Sequence, residues 1–320
     1  MKKKVMKRIG GIALTVALLL AAATAAGGFY MLDYSLRPGT NDGRDVAASY
    51  RYMFDEYPYI QPWVDSLQTA GALRDTFIVN PDGIRLHALY AAAAQPTRRT
   101  AVIVHGYTDS SVRMLMIGYL YHRALGYNIL LPDLQHCGLS GGSAIQMGWK
   151  DRLDVLRWME VANALYGGET QMVVHGISMG AATTMCVSGE PQPPYVKCFV
   201  EDCGYTSVWA QFAKELKEQF GLPPFPLLHA ATTLCKLRYG WSFGEASPLK
   251  QVAKCSLPML FIHGSADTYV PTQMVYPLYE AKPEPKAMWV VPGAAHAVSY
   301  KENREEYTRR VHRFVEQYIH

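Results

Sequence analysis

Three short segments hold the residue types that nucleophilic catalysis requires: GISMG around Ser178, HGSAD ending at Asp267 and PGAAH ending at His296. A serine hydroxyl is a weak nucleophile at neutral pH until an imidazole takes its proton. The imidazole in turn needs a carboxylate to fix its tautomer and stabilise its charged form. The tetrahedral intermediate of such chemistry also needs two fixed N–H donors. Sharp turns supply these through the backbone of Met179, directly after the serine, and of Tyr107, after the turn His105-Gly106. By residue type alone Ser178 also suits a helix N-cap, but Gly176 and Gly180 fit a turn with close backbone approach better. Asp202 is the alternative acid. Asp267 is preferred because a Ser, Asp, His order then places the acid after the penultimate strand. His105, His136, His175 and His263 read as structural residues beside tight turns.

These residues must be positioned by strands. Thr76 to Asn80 and Arg85 to Tyr90 flank the turn signal Pro81-Asp82-Gly83 and read as a hairpin. Buried-strand runs follow at 101–104, 128–131, 171–174, 198–200, 259–262 and 287–291, alternating with helical patterns at 112–125, 149–165, 179–188, 272–281 and 303–318. That alternation is an α/β fold: a mostly parallel eight-stranded sheet with helices on both faces. In an open α/β sheet ligands bind beyond the carboxyl ends of the strands, where Ser178, Asp267 and His296 each fall. The 201–258 interval is far longer than a crossover needs and reads as a small helical lid inserted after strand 6, at about 205–250. Its Trp209, Phe212, Leu216, Phe220, Phe225, Leu227 and Leu228 suit either an apolar acyl pocket or packing onto the core.

The chain has 320 residues and a formal charge of +4, but Lys2, Lys3, Lys4, Lys7 and Arg8 concentrate that excess in a basic stretch at 1–8. The rest is near neutral, so no basic patch points to a nucleic-acid partner. Ile9 to Leu32 contains no charged residue and is long enough as a helix to cross a hydrocarbon core of about 30 Å. It reads as an uncleaved anchor, with a signal peptide cut near Ala23-Thr24-Ala25 as the alternative. Either way the positive-inside rule puts the catalytic body on the extracytoplasmic side, membrane-anchored or secreted. Residues 33–74 read as an aromatic-rich helical segment and 75–320 as the catalytic domain. The six cysteines lack metal-ligand spacing, so neither zinc nor a cofactor is expected; Cys235 with Cys255, or Cys198 with Cys203, could pair in an exported body.

Taken in order, HGYTDS, PDLQHCGLSGG, GISMGA, HGSADTYVP and PGAAHAVSY resemble the α/β-hydrolase family from about Asp75 to the end. Within it the chain is similar to the YqkD-like and BEM46-like branch of bacterial single-pass or secreted serine hydrolases, which also carry an MLDYSL-like segment after an N-terminal apolar helix and a short lid. Two departures stand out. His175 and Ile177 precede the serine where many lipases place histidine directly before it, and Gln135-His136-Cys137 stands where the family often has Arg-Gly-His. The resemblance implies an ester or thioester hydrolase with triad Ser178, Asp267 and His296 and oxyanion donors Tyr107 and Met179. Its expected partners are a small-molecule acyl ester and, through the N-terminal helix, the membrane. A small peptidase with the same triad and a non-catalytic tethered binding module are the competing functions.

Overall fold

The computed structural model describes residues 2–320; of the basic start, Met1 and the side chains of Lys2 and Lys3 lie outside the described residues. Eight strands form one sheet: β1 (Arg74–Val79), β2 (Arg85–Ala91), β3 (Arg99–Val104), β4 (Asn128–Pro132), β5 (Gln171–Ile177), β6 (Val196–Asp202), β7 (Met259–Gly264) and β8 (Lys286–Val291). Their order is β1-β2-β4-β3-β5-β6-β7-β8, antiparallel from β1 through β2 to β4 and parallel from there on. The sheet is the one the apolar runs predict. β3 to β7 are almost entirely buried, as strands covered on both faces must be.

The helices are α1 (Lys2–Leu36), α2 (Val46–Glu56), α3 (Gln61–Thr69), α4 (Leu115–Gly118), α5 (Asp151–Leu165) and α6 (Met179–Ser188), then α7 (Val208–Phe220), α8 (Leu227–Tyr239) and the short α9 (Pro248–Val252) between β6 and β7, and finally α10 (Val275–Ala281), α11 (Ser299–Glu302) and α12 (Arg304–Val315). Two apolar cores lie on opposite faces of the sheet. One holds Trp158, Met185 and Phe199 with α5 and α6; the other holds Trp63, Tyr121, Tyr307 and Val311 with α3 and α12.

Three expectations need correction. The helix anticipated at 112–125 is broken into a 3-10 turn, the four-residue α4 and a wide π turn at Tyr119–Ala124. Gly118 sits there against Ile129 and Trp63, and Trp63 donates to His122 Nδ1 at 3.1 Å, so packing and a buried polar bond override the helical period. The N-terminal helix runs on to Leu36, past the expected end at Leu32, and its last turns belong to the folded body: Gly28, Leu32 and Leu36, four residues apart, are buried on one face. That face packs on α8, where Leu227 meets Gly27 and Ala230 meets Gly28. All six cysteines are free and buried, so neither suggested pair is formed.

Candidate active site

Ser178 occupies the turn between β5 and α6 with φ 58° and ψ −117°, a conformation that costs a non-glycine residue on the order of 1–3 kcal/mol. The flanking glycines are demanded by space. A Cβ on Gly176 would lie 2.0 Å from the Gly180 carbonyl oxygen, and one on Gly180 would lie 2.0 Å from that of Val104. The turn is further fixed by Ser178 N–H donating to the Asp202 carbonyl at 2.8 Å. The consequence is a hydroxyl held above the carboxyl end of the sheet.

His296 stands in the loop after β8, with Nε2 2.8 Å from Ser178 Oγ and Nδ1 2.7 Å from Asp267 Oδ2. With Nδ1–H donating to the carboxylate, Nε2 is left free to accept the serine proton. Asp267 follows β7 and is buried. Its Oδ1 accepts from Val270 N–H at 2.9 Å, and His263 Nε2 lies 3.3 Å from Oδ2 while also bonding the Val270 carbonyl at 2.9 Å. Burial alone would push the Asp267 carboxyl up, but hydrogen bonds from His263 and His296, the imidazole charge and the Val270 amide outweigh it and hold the carboxyl down at about 2. His263, read from sequence as structural, therefore supports the acid from behind.

The alternative acid points elsewhere. Asp202 Oδ2 accepts from Tyr307 O–H at 3.0 Å, and the same hydroxyl lies 3.0 Å from His175 Nε2. Burial pushes the Asp202 carboxyl up to about 6. Its place at the end of β6 brings it near His296 without a hydrogen bond between them. Cys203 Sγ falls within 4.8 Å of the Asp267 and His296 atoms, but burial drives its thiol well above the ordinary value, so it sits there as a neutral group.

Tyr107 and Met179 both border the space over Ser178. Met179 is the first residue of α6, where an amide has no acceptor within its own helix. Gly106 lies in contact with the serine: a Cβ there would be 3.6 Å from Ser178 Cβ. A cavity of about 360 Å³ opens over Ser178, lined by Tyr107 and Met179, by Phe212 of α7, by Tyr269, and by Tyr34 and Ser35 of α1. The Tyr107 hydroxyl donates to the Ser35 carbonyl at 2.9 Å. Sequence reasoning missed Tyr34 and Ser35 as site residues. The only signal for them was the MLDYSL segment itself, which follows the apolar stretch and holds both.

Fold and site together define a serine hydrolase of the α/β-hydrolase fold. The sequence pattern of the prolyl oligopeptidase family matches residues 143–320, and the chain belongs to that family. It is 32% identical to YqkD of Bacillus subtilis (strain 168) over 71% of this chain and 74% of that protein. Among solved structures it resembles the Pyrococcus furiosus esterase Pf2001, with TM-score 0.63 and 23% identity over 79% of this chain and 95% of the esterase. It also resembles the acylaminoacyl peptidase of Pyrococcus horikoshii, with TM-score 0.58 and 17% identity over 78% of this chain and 42% of the peptidase.

Proposed function

We propose that this protein is a membrane-anchored carboxylesterase whose catalytic body faces the extracytoplasmic side. The observation that carries the reading is the continuous chain of short bonds from Asp267 through His296 to Ser178, ending in a cavity large enough for an acyl group. Ser178 O–H gives its proton to His296 Nε2 as Oγ attacks the ester carbonyl. The oxyanion takes hydrogen bonds from the Tyr107 and Met179 amides, the C–O bond to the alcohol breaks, and His296 returns the proton to the departing alcohol. Water then gives a proton to His296 and attacks the acyl-serine. The acid leaves and Ser178 recovers its proton, so one ester and one water yield one acid and one alcohol.

A thioester would pass through the same steps. A peptidase is the second reading, favoured by the family itself and by the resemblance to the acylaminoacyl peptidase. The insertion between β6 and β7 acts as a lid over the cavity in either case, since Phe212 of α7 lines it.

The test uses the full chain in detergent and its Ser178→Ala variant, with p-nitrophenyl esters of increasing acyl length and an aminoacyl p-nitroanilide. Ester turnover that vanishes in the variant is the expected result. Anilide turnover exceeding that of every ester would favour the peptidase, and no turnover with Ser178 unlabelled by a fluorophosphonate would reject the hydrolytic assignment of these residues.

A further inference from the structure

The lid and the N-terminal helix run side by side in the same direction. Leu227 of α8 meets Gly27 of α1, Ala230 meets Gly28, and Arg238 pairs with Asp33 at 3.1 Å. Small residues at the first two contacts let the helix backbones approach closely. Because the pairing is parallel, the start of α8 and the loop before it point toward the amino-terminal part of α1. That part, from Ile9 to Ala26, is 18 uncharged residues with exposed apolar side chains such as Ile12, Leu14, Leu18, Leu19 and Leu20. At 1.5 Å per residue it spans roughly 27 Å, close to the thickness of a hydrocarbon core. It has no protein to cover it among the described residues, and a bilayer is what covers such a surface.

The loop aimed at this bilayer is Leu222-Pro223-Pro224-Phe225-Pro226. Phe225 is 71% exposed and Leu222 and the neighbouring Phe220 are more than a third exposed, Phe220 lies against Tyr34 of α1 at 5.5 Å between ring centres, and Phe29 and Tyr30 of α1 are exposed as well. The loop carries no charge. Aromatic and apolar side chains gathered at the end of an apolar helix are the composition of a membrane interface.

Behind this tip lies a narrow slot of about 40 Å³ between α1 and the lid, walled on the tip side by Met31, Leu216, Phe220 and Leu228 and also lined by Glu215 and Gln219. It shares Tyr34, Ser35, Phe212, Glu215 and Gln219 with the cavity over Ser178, so the two are neighbours separated by the width of these side chains. The slot is too small to enclose a long chain. A chain entering here would have to pass through, with its end left in the lipid.

We propose that the lid tip at 220–226 sits in the bilayer beside α1 and that the substrate is a long-chain acyl ester drawn from the membrane, its chain passing between α1 and the lid to reach Ser178. This rests on the esterase reading above and names its substrate class.

The test reconstitutes the full chain in phosphatidylcholine vesicles and measures two substrates: soluble p-nitrophenyl butyrate and 4-methylumbelliferyl palmitate dissolved in the bilayer. Phe225→Asp is expected to lower palmitate turnover at least about tenfold while butyrate turnover stays within about twofold. Equal turnover of palmitate by parent and variant, or equal loss on both substrates, overturns the proposal. A second variant reads the seat of the tip without catalysis. Because the native cysteines are buried, Phe225→Cys accepts a nitrobenzoxadiazole label selectively. The label is expected to be shielded from aqueous dithionite and quenched by nitroxide-bearing lipid; reduction at the rate of a label free in water overturns the membrane seat. Parent turnover of butyrate without palmitate rejects the lipid substrate alone. Parent turnover of neither ester rejects the esterase reading, and the lipid substrate with it.

Discussion

Asp267 holds His296 through a 2.7 Å bond to Nδ1 and is itself held by the Val270 amide, whereas Asp202, at the end of the neighbouring strand, makes its bond to Tyr307. Two carboxylates at strand ends thus have different duties. Asp267→Asn keeps the size of the side chain but removes the charge that orients and stabilises the imidazole, so kcat on p-nitrophenyl butyrate is expected to fall by about 10⁴. Asp202→Asn is expected to cost less than about tenfold. A larger loss for Asp202→Asn than for Asp267→Asn would reverse the assignment.

The strain at Ser178 gives a stability prediction that is separate from activity. Ser178→Ala and Ser178→Gly both lose the hydroxyl, but only glycine adopts φ 58° with ψ −117° without penalty. After allowance for the greater entropy of glycine in the unfolded chain, Ser178→Gly is expected to be more stable than Ser178→Ala by about 1 kcal/mol in urea unfolding. Equal midpoints would mean that the turn stores no strain.

His87 is bonded at both ring nitrogens, to Asp133 Oδ2 at 2.6 Å and to Asp75 Oδ1 at 2.8 Å, tying the β1–β2 hairpin to the loop after β4. Burial disfavours its charge, but the two carboxylates win and raise it above the ordinary 6.5. Asp133 is opposed by burial too, yet His87 and the Ser111 amide hold it below 3.8. The raised histidine contributes stability in full below about pH 6.5 and loses it as pH rises through the raised value. The lowered aspartate contributes above about pH 4 and loses it as pH falls. His87→Gln leaves Asp133 buried without its cation and is expected to cost about 3 kcal/mol near pH 6. The gap in Tm between parent and variant should narrow toward alkaline pH; a gap independent of pH would show that His87 is not charged in the folded state.

Much of this architecture can be read from sequence because its signals are local. Each strand from β3 to β8 is a short apolar run, the hairpin turns at Pro81-Asp82-Gly83, and the residues after β5, β7 and β8 carry the serine, acid and histidine in order. What escapes is what depends on a partner distant in sequence. Nothing near Gly118 signals that Trp63 and Ile129 will press on it, and nothing near Asp202 signals Tyr307, 105 residues away. The end of α1 is the clearest case. An uninterrupted apolar stretch to Leu32 looks the same whether its last turns face lipid or protein, and only α8, some two hundred residues on, distinguishes the two.

That distinction has a direct consequence for the anchor. If the last turns of α1 belong to the folded body, Leu32, which is fully buried, behaves as a core residue, and Leu32→Ala is expected to destabilise the body by about 3 kcal/mol. Leu20, 64% exposed twelve residues earlier, faces only detergent or lipid, so Leu20→Ala should leave the body's unfolding midpoint unchanged. The same logic applies to trimming. A chain begun at Asp33 removes Gly27 to Leu32 and uncovers Leu228 and Ala231 of the lid, so it should melt earlier than one begun at Ala26, which is where a cut after Ala25 would leave the mature terminus. Anchor and signal peptide therefore make the same demand on the body: residues 27–36 are retained in both. Thermal unfolding of the two trimmed chains side by side checks this, and equal midpoints would mean that α1 ends as a membrane helix and takes no part in the hydrolase domain.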